Sequence, residues 1–81
     1  IALYLLPAYM DRGYGTALLA AAVERLAGQG YRDILLWVLE DNHRARAFYE
    51  KRGFRYSGTR MENDVGGKPL GELLYCRRME A

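Results

Sequence analysis

Residue types that can hold a phosphate stand near the start of the chain, in the segment Arg12-Gly13-Tyr14-Gly15-Thr16. The segment separates a predicted strand from a predicted helix, where unpaired backbone N–H groups and the helix dipole attract an anion. A glycine turn that only adopts positive φ explains the same residues. A nucleotide P-loop is excluded because no Gly-Lys-Ser/Thr follows, and Leu18 disfavours a dinucleotide fingerprint, which needs a small residue there.

A second group of candidates lies in the predicted helix that follows Asn42. Its first turn carries His43, Arg44 and Arg46, whose positive charge opposes the helix dipole. An anionic ligand near the helix start would compensate for this arrangement, although surface arginines without a role are also common. Tyr49 follows Asn42 by two helical turns, so both side chains can face one cleft. Packing is the competing explanation for this tyrosine.

Other reactive side chains point to no further chemistry. Ser57 and His43 lack an orienting carboxylate, which argues against a hydrolase. Cys76 falls in the last predicted strand and is expected to be an inert sheet residue. With one Cys and one His in the sequence, neither a disulfide framework nor a His/Cys zinc site made by one chain is possible, and no metal site is expected. This cysteine usage fits a reducing compartment, and we expect a cytoplasmic protein.

The composition bounds the class of protein. With 81 residues, 51% of them hydrophobic, and a net charge of +2, the chain is expected to form one small folded unit over 1–81. The basic residues are spread along the chain, so no nucleic-acid partner is expected. The apolar start, residues 1–6, is too short for a membrane span, and no membrane partner is expected. Ile1 stands where an initiator Met would, so we expect part of a longer domain.

Apolar periodicity and turn residues divide the chain into six elements. The predicted order is a strand over 1–6, a helix from Thr16 to Gly28, a strand from Ile34 to Leu39, a helix from Asn42 to Gly53, and strands over 54–61 and 70–79. The continuous apolar run of the 34–39 strand predicts burial on both faces, and the last two strands are expected to form a long-looped hairpin. The order β-α-β-α-β-β predicts an α/β fold class with a mixed sheet and packed helices.

Two sets of residues in this order resemble the GNAT family of N-acetyltransferases, which transfer an acetyl group from acetyl-CoA to an amine. The first set is similar to the family's pyrophosphate loop and following helix: Tyr4-Leu5-Leu6-Pro7, Arg12-Gly13-Tyr14-Gly15 and Ala17-Leu18-Leu19. The second set is similar to the family's second cofactor motif: residues 36–42, Ala45, residues 48–51 and Gly53-Phe54. The resemblance covers the whole chain and corresponds to the C-terminal half of the family's domain.

The resemblance implies acetyl-CoA as co-substrate, held in a slot where the first strand and the 34–39 strand splay apart. Leu5 and Leu6 would offer backbone groups to the pantetheine amides. The loop that begins at Arg12 would bind the pyrophosphate, through the N–H groups of Gly13, Tyr14, Gly15 and Thr16. Met10 departs from the Gln or Arg that the family usually has at that position of the loop.

The resemblance also implies that Asn42 contacts the cofactor and that Tyr49 protonates the departing thiolate. The glutamate that usually serves as base in the family is not recognisable in these strands.

Three classes of function stay open. They are an acetyltransferase acting on a primary amine of a small molecule or a protein N-terminus, an acyl-CoA-binding module without turnover, and an interaction module that uses its strand edges. The unpaired edge of the first strand also predicts a homodimer.

Overall fold

The computed structural model of the chain describes residues 3–6 and 15–79, with the backbone alone for 15–19. The elements are β1 (Leu3–Leu5), α1 (Gly15–Gly28), β2 (Asp33–Leu39), α2 (His43–Lys51), β3 (Arg55–Val65) and β4 (Lys68–Arg78). This order confirms the predicted alternation of strands and helices. Residue 6 of the first predicted strand lies outside β1, and residues 1 and 2 lie outside the described part of the chain.

The four strands form one mixed sheet in the order β1-β2-β4-β3. β1 pairs parallel with β2, whereas β4 pairs antiparallel with both β2 and β3. The crossovers β1-α1-β2 and β2-α2-β3 both advance across the sheet in the same direction. Since such crossovers are right-handed, both helices pack on the same face of the sheet. We call this the helix-covered face and the other the open face.

The hydrophobic core lies between the helices and the helix-covered face. It contains Leu6, Val23, Leu26, Ile34, Leu36, Val38, Ala45, Tyr49, Phe54, Leu73 and Tyr75. From Ile34 on, burial on β2 alternates: Ile34, Leu36 and Val38 are buried, whereas Leu35 and Trp37 are half-buried and Leu39 is 41% exposed. The prediction that this strand is covered on both faces is therefore wrong for the residues the structure describes. The physical reason is that both helices pack on one face.

The predicted hairpin of the last two strands is present, but the prediction of a long loop between them is wrong. β3 and β4 continue to Val65 and Lys68, which pair with each other across the two-residue turn Gly66-Gly67. Both glycines have positive φ, 60° and 83°, as a tight hairpin turn of this twist requires. The polar residues before the turn suggested a loop, but they form an exposed strand. The pairing register of β3 with β4 shifts between Tyr56 and Arg60, an irregularity of the kind that β-bulges produce.

Candidate functional site

Towards the carboxyl end of β2, the strand edge that faces β1 has no partner strand among the described residues, and we call this open edge the slot. The two strands pair at three positions, ending with Leu5 opposite Leu35, and the Leu6 N–H donates to the Leu35 carbonyl at 2.7 Å. β2 continues to Leu39 along β4, whereas β1 ends at Leu5. Because backbone groups alternate along a strand, the N–H and C=O of Trp37 face the edge that β1 has left. Among the described residues, no strand pairs with that edge.

Both helices begin at the end of the sheet where this slot opens. Each helix follows the carboxyl end of a parallel strand, α1 after β1 and α2 after β2. Gly15 and Thr16 form the first turn of α1, so their N–H groups are among the four that a helix leaves without an internal partner. Their predicted loop neighbours Arg12, Gly13 and Tyr14 lie outside the described residues. The topology thus places both helix N-termini at the same end of the sheet, where their positive dipole ends lie close to the slot.

Asn42 precedes α2 and Tyr49 lies within it; that both side chains face one cleft stays a prediction. Asn42 is the N-cap of the helix, and its Oδ1 accepts a hydrogen bond from the Ala45 N–H at 3.0 Å. Tyr49 is 2% exposed, and its ring stands edge-on to the rings of Phe48 and Phe54, with centroids 5.3 and 5.8 Å away. The ring of Tyr49 therefore packs in the core, on the helix-covered face.

The guanidinium of Arg46 forms hydrogen bonds with other groups of this chain. Its Nε donates to the hydroxyl of Tyr75 at 3.0 Å and its Nη1 to the carbonyl of Glu40 at 3.0 Å. The Tyr75 hydroxyl in turn donates to Glu50 Oε2 at 2.6 Å. Burial, followed by the hydrogen bond with Glu50, raises the pKa of Tyr75. An anionic ligand is thus not needed to explain Arg46, because these contacts already use its charge; His43 and Arg44 are exposed.

A second polar group, which the sequence analysis missed, lies beyond the end of β2. Arg60 donates from Nε and Nη2 to Glu40 Oε1 at 3.1 and 2.9 Å, and from Nη2 to Glu62 at 3.3 Å. The hydrogen bond from Arg60 lowers the pKa of Glu40. A Cβ at Gly71 would stand 2.5 Å from both Arg60 Nη2 and Glu40 Oε1, so a side chain there would force the ends of these two side chains to shift.

Tyr75→Phe tests the contacts that hold α2 against the sheet. The substitution keeps the buried ring but leaves Arg46 Nε and Glu50 without the hydroxyl that bridges them. We expect the free energy of unfolding to fall by about 1–2 kcal/mol, measured by urea denaturation. Tyr56→Phe is the matched control, because Tyr56 is 45% exposed, and it is expected to change stability by less than about 0.5 kcal/mol. Equal effects of the two substitutions would contradict the bridging role of Tyr75.

Two features are absent from the part of the chain that the structure describes. It holds no group of three or more His, Cys, Asp or Glu side chains arranged to bind a metal ion. Its helices also include none that is long and apolar enough to cross a membrane. Cys76 is half-buried, and burial raises the pKa of its thiol.

Curated relatives with similar sequences are acetyltransferases by name. The chain is 41% identical over 58 residues to an uncharacterized N-acetyltransferase of Mycobacterium tuberculosis, a match covering 72% of this chain and 37% of the relative. It is 46% identical over 59 residues to the mycothiol acetyltransferase of Amycolatopsis mediterranei, covering 73% of this chain and 18% of that protein. The chain therefore spans well under half the length of these relatives.

Solved structures show the same fold. The crystal structure of Arabidopsis thaliana NAA60 in complex with a bisubstrate analogue matches 96% of this chain and 50% of that chain, with a TM-score of 0.76 and 24% identity. The model of the family described as "Acetyltransferase (GNAT) family" matches residues 1–54. This range includes both sets of residues that carry the family resemblance. Because this match takes in more than half of the 81 residues, the chain belongs to the GNAT family of acetyltransferases.

Proposed function

We propose that this chain is the cofactor-binding, C-terminal portion of an acetyltransferase domain that transfers the acetyl group of acetyl-CoA to a primary amine. The observation that carries the proposal is the slot between β1 and β2, where pairing ends at Leu5 and Leu35 while β2 runs on to Leu39. An extended pantetheine arm has amide groups that match such an open strand edge. Family membership over residues 1–54 supports the same ligand.

Different groups around this slot suit the pantetheine arm and the pyrophosphate of the cofactor. Backbone groups at the end of β1, from Leu5 and Leu6, and the edge of β2 at Trp37 would bind the pantetheine amides. The pyrophosphate would lie at the start of α1, where Gly15 and Thr16 carry unpaired N–H groups. Arg12, Gly13 and Tyr14 are proposed to complete that loop. Asn42, at the N-cap of α2, would contact the cofactor from the other side of the slot.

Tyr49 is proposed as the general acid. When the amine nitrogen attacks the thioester carbonyl carbon, the C–S bond breaks and its electrons go to sulfur as a thiolate. The phenol of Tyr49 would give its proton to that sulfur, which stabilises the leaving group, and the proton that the product nitrogen loses would return to the Tyr49 oxygen. Packing against Phe48 and Phe54 fixes the tyrosine ring, and a fixed ring keeps the hydroxyl positioned for proton transfer.

Gly15→Val tests the pyrophosphate assignment. A β-branched side chain at the start of α1 would block close approach of a phosphate to the N–H groups there. We expect the Kd for acetyl-CoA to rise by about tenfold or more, measured by isothermal titration calorimetry. Gly28→Val is the matched control, because it places the same side chain at the exposed other end of α1, where a Cβ has no atom within 4 Å. Unchanged affinity in a folded Gly15→Val protein would contradict the assignment.

Binding of acetyl-CoA separates this proposal from an interaction module that only uses strand edges. A ligand that binds the folded state raises its stability, so acetyl-CoA should raise Tm in a concentration-dependent manner. No shift at millimolar acetyl-CoA, in a protein that is folded, would favour the interaction module. An acyl-CoA-binding module without turnover would show the shift but release no free coenzyme A when amines are added.

The acceptor is proposed to be a primary amine of a small molecule or of a protein N-terminus. The name of the Amycolatopsis mediterranei relative points to a small molecule.

We also propose a cytoplasmic protein that forms homodimers through a strand edge. β1 offers the more suitable edge, since the other edge strand, β3, carries charged side chains along its exposed length, which disfavours pairing. Light scattering at micromolar concentration tests the dimer, and a folded monomer would contradict it.

A further inference from the structure

Glu40 connects three elements of the fold at the point where β2 ends and the chain turns into α2. Its N–H donates to the Gly71 carbonyl of β4 at 2.9 Å, and its own carbonyl accepts from Arg46 Nη1 of α2 at 3.0 Å. Its carboxylate accepts two hydrogen bonds from Arg60 of β3, at 3.1 and 2.9 Å. The N–H, the carbonyl and the carboxylate of Glu40 are therefore each bound by a different element.

The turn that contains Glu40 leads directly to Asn42, the N-cap of α2. We call residues 39–42 the β2–α2 turn, because the Asn42 N–H donates to the Leu39 carbonyl at 3.0 Å. Asn42 Oδ1 in turn accepts from the Ala45 N–H at 3.0 Å. Only Asp41 separates Glu40 from Asn42, so little chain lies between them to absorb a displacement of Glu40.

The contact between Arg60 and Glu40 is the one of the three that involves side chains alone. It also spans the sheet, because β3, which carries Arg60, is separated from β2 by β4. Two donors of the rigid, planar guanidinium converge on Glu40 Oε1, so the pair restricts direction as well as distance. Arg60 therefore links the β2–α2 turn to the hairpin of β3 and β4.

We propose that Arg60 is a positioning residue that, through Glu40, fixes the β2–α2 turn and thereby orients Asn42 for cofactor binding. The inference rests on the proposed function, in which Asn42 contacts acetyl-CoA. An N-cap that is already held in place loses less conformational freedom when the ligand binds. The side chains of Arg60 and Glu40 are 42% and 40% exposed, and exposed ion pairs contribute little to overall stability. Loss of the pair is therefore expected to act locally, on the turn and on affinity.

Arg60→Met in the protein that carries this chain tests the positioning role by amide hydrogen exchange, without any ligand. Met keeps an unbranched side chain but removes the charge and the donors. We expect the Ala45 N–H, whose acceptor is Asn42 Oδ1, to exchange about fivefold faster, the scale of an exposed ion pair. The Phe54 N–H, bonded to the Tyr49 carbonyl beyond the other end of α2, should keep its wild-type rate.

Two outcomes of the exchange experiment would overturn the proposal. Equal acceleration at Ala45 and Phe54 would mean that Arg60 contributes only to general stability. An unchanged rate at Ala45 would mean that the ion pair does not hold the cap. Arg78→Met is the matched control, because it removes the ion pair with Asp33 at the other end of β2, and it should leave the Ala45 rate relative to Phe54 unchanged.

Affinity for acetyl-CoA provides the second measurement. Arg60→Met should raise the Kd about fivefold in calorimetric titration, while kcat at saturating acetyl-CoA stays within about twofold, because Arg60 touches no reacting atom. Arg60→Lys keeps the charge and should fall between Arg60→Met and wild type. A Kd for Arg60→Met equal to that of wild type would overturn the proposal. If wild type itself fails to bind acetyl-CoA, the proposed function fails instead, and the exchange rates still decide whether Arg60 positions Asn42.

Discussion

Tyr49→Phe is expected to lower kcat by about 100-fold or more while the Kd for acetyl-CoA stays within about twofold. The substitution removes the one hydroxyl proposed to protonate the leaving thiolate, and loss of a general acid has effects of this size. The ring is kept, so packing against Phe48 and Phe54 should persist. The measurement is steady-state release of free coenzyme A, together with calorimetric titration of the cofactor.

Tyr56→Phe is the control for this substitution, since Tyr56 is a half-exposed tyrosine of β3 and should keep wild-type kcat. If Tyr49→Phe retains kcat within about fivefold, a barrier change near 1 kcal/mol, Tyr49 is only a wall of the slot. A large fall in cofactor affinity with little change in kcat would likewise contradict a role in proton transfer.

Phe54→Ala is expected to cost about 3–5 kcal/mol of the free energy of unfolding, by loss of burial and creation of a cavity. Phe54 is 0% exposed, lies 5.8 Å from the ring of Tyr49, and donates its N–H to the Tyr49 carbonyl at 3.1 Å. A small domain has a total stability of about 5–15 kcal/mol. The substitution should therefore leave much of the protein unfolded near 37 °C.

Phe54→Leu provides the graded comparison, because a smaller apolar side chain fills part of the cavity and should cost less. Urea denaturation followed by circular dichroism measures both variants. A loss below about 1 kcal/mol for Phe54→Ala would mean that other residues stabilise the core around Tyr49. It would contradict the claim that packing against Phe54 fixes the Tyr49 ring.

Local sequence signals predicted most of the fold. The apolar run ending at Leu39, the N-cap residue Asn42 and the helix-ending glycines act through neighbours a few residues away, and each element that they predicted is present. The hairpin itself was predicted, but its full length was missed because β3 is exposed along nearly its whole length, so no apolar alternation marks its continuation to the turn. The turn residues Gly66 and Gly67 were visible, but the strand segments 62–65 and 68–69 beside them were not predicted.

Long-range contacts are the part of the candidate site that the sequence did not reveal. Arg46 and Tyr75 are 29 residues apart in the chain, and only the pairing of β4 with β2 brings them together. Local signals did predict that a helix begins after Asn42 and contains Tyr49, and in the structure Asn42 is the N-cap of α2 and Tyr49 lies within it.

Acetyl transfer itself is tested most directly by incubating the protein with acetyl-CoA and a panel of primary amines and detecting both products by mass spectrometry. The account predicts free coenzyme A and an N-acetylated amine in equal amounts, with at least one amine of the panel, and about 100-fold slower formation of both by Tyr49→Phe. Binding of acetyl-CoA without either product, across small amines and peptides with free N-termini, would contradict the account and favour a binding module without turnover.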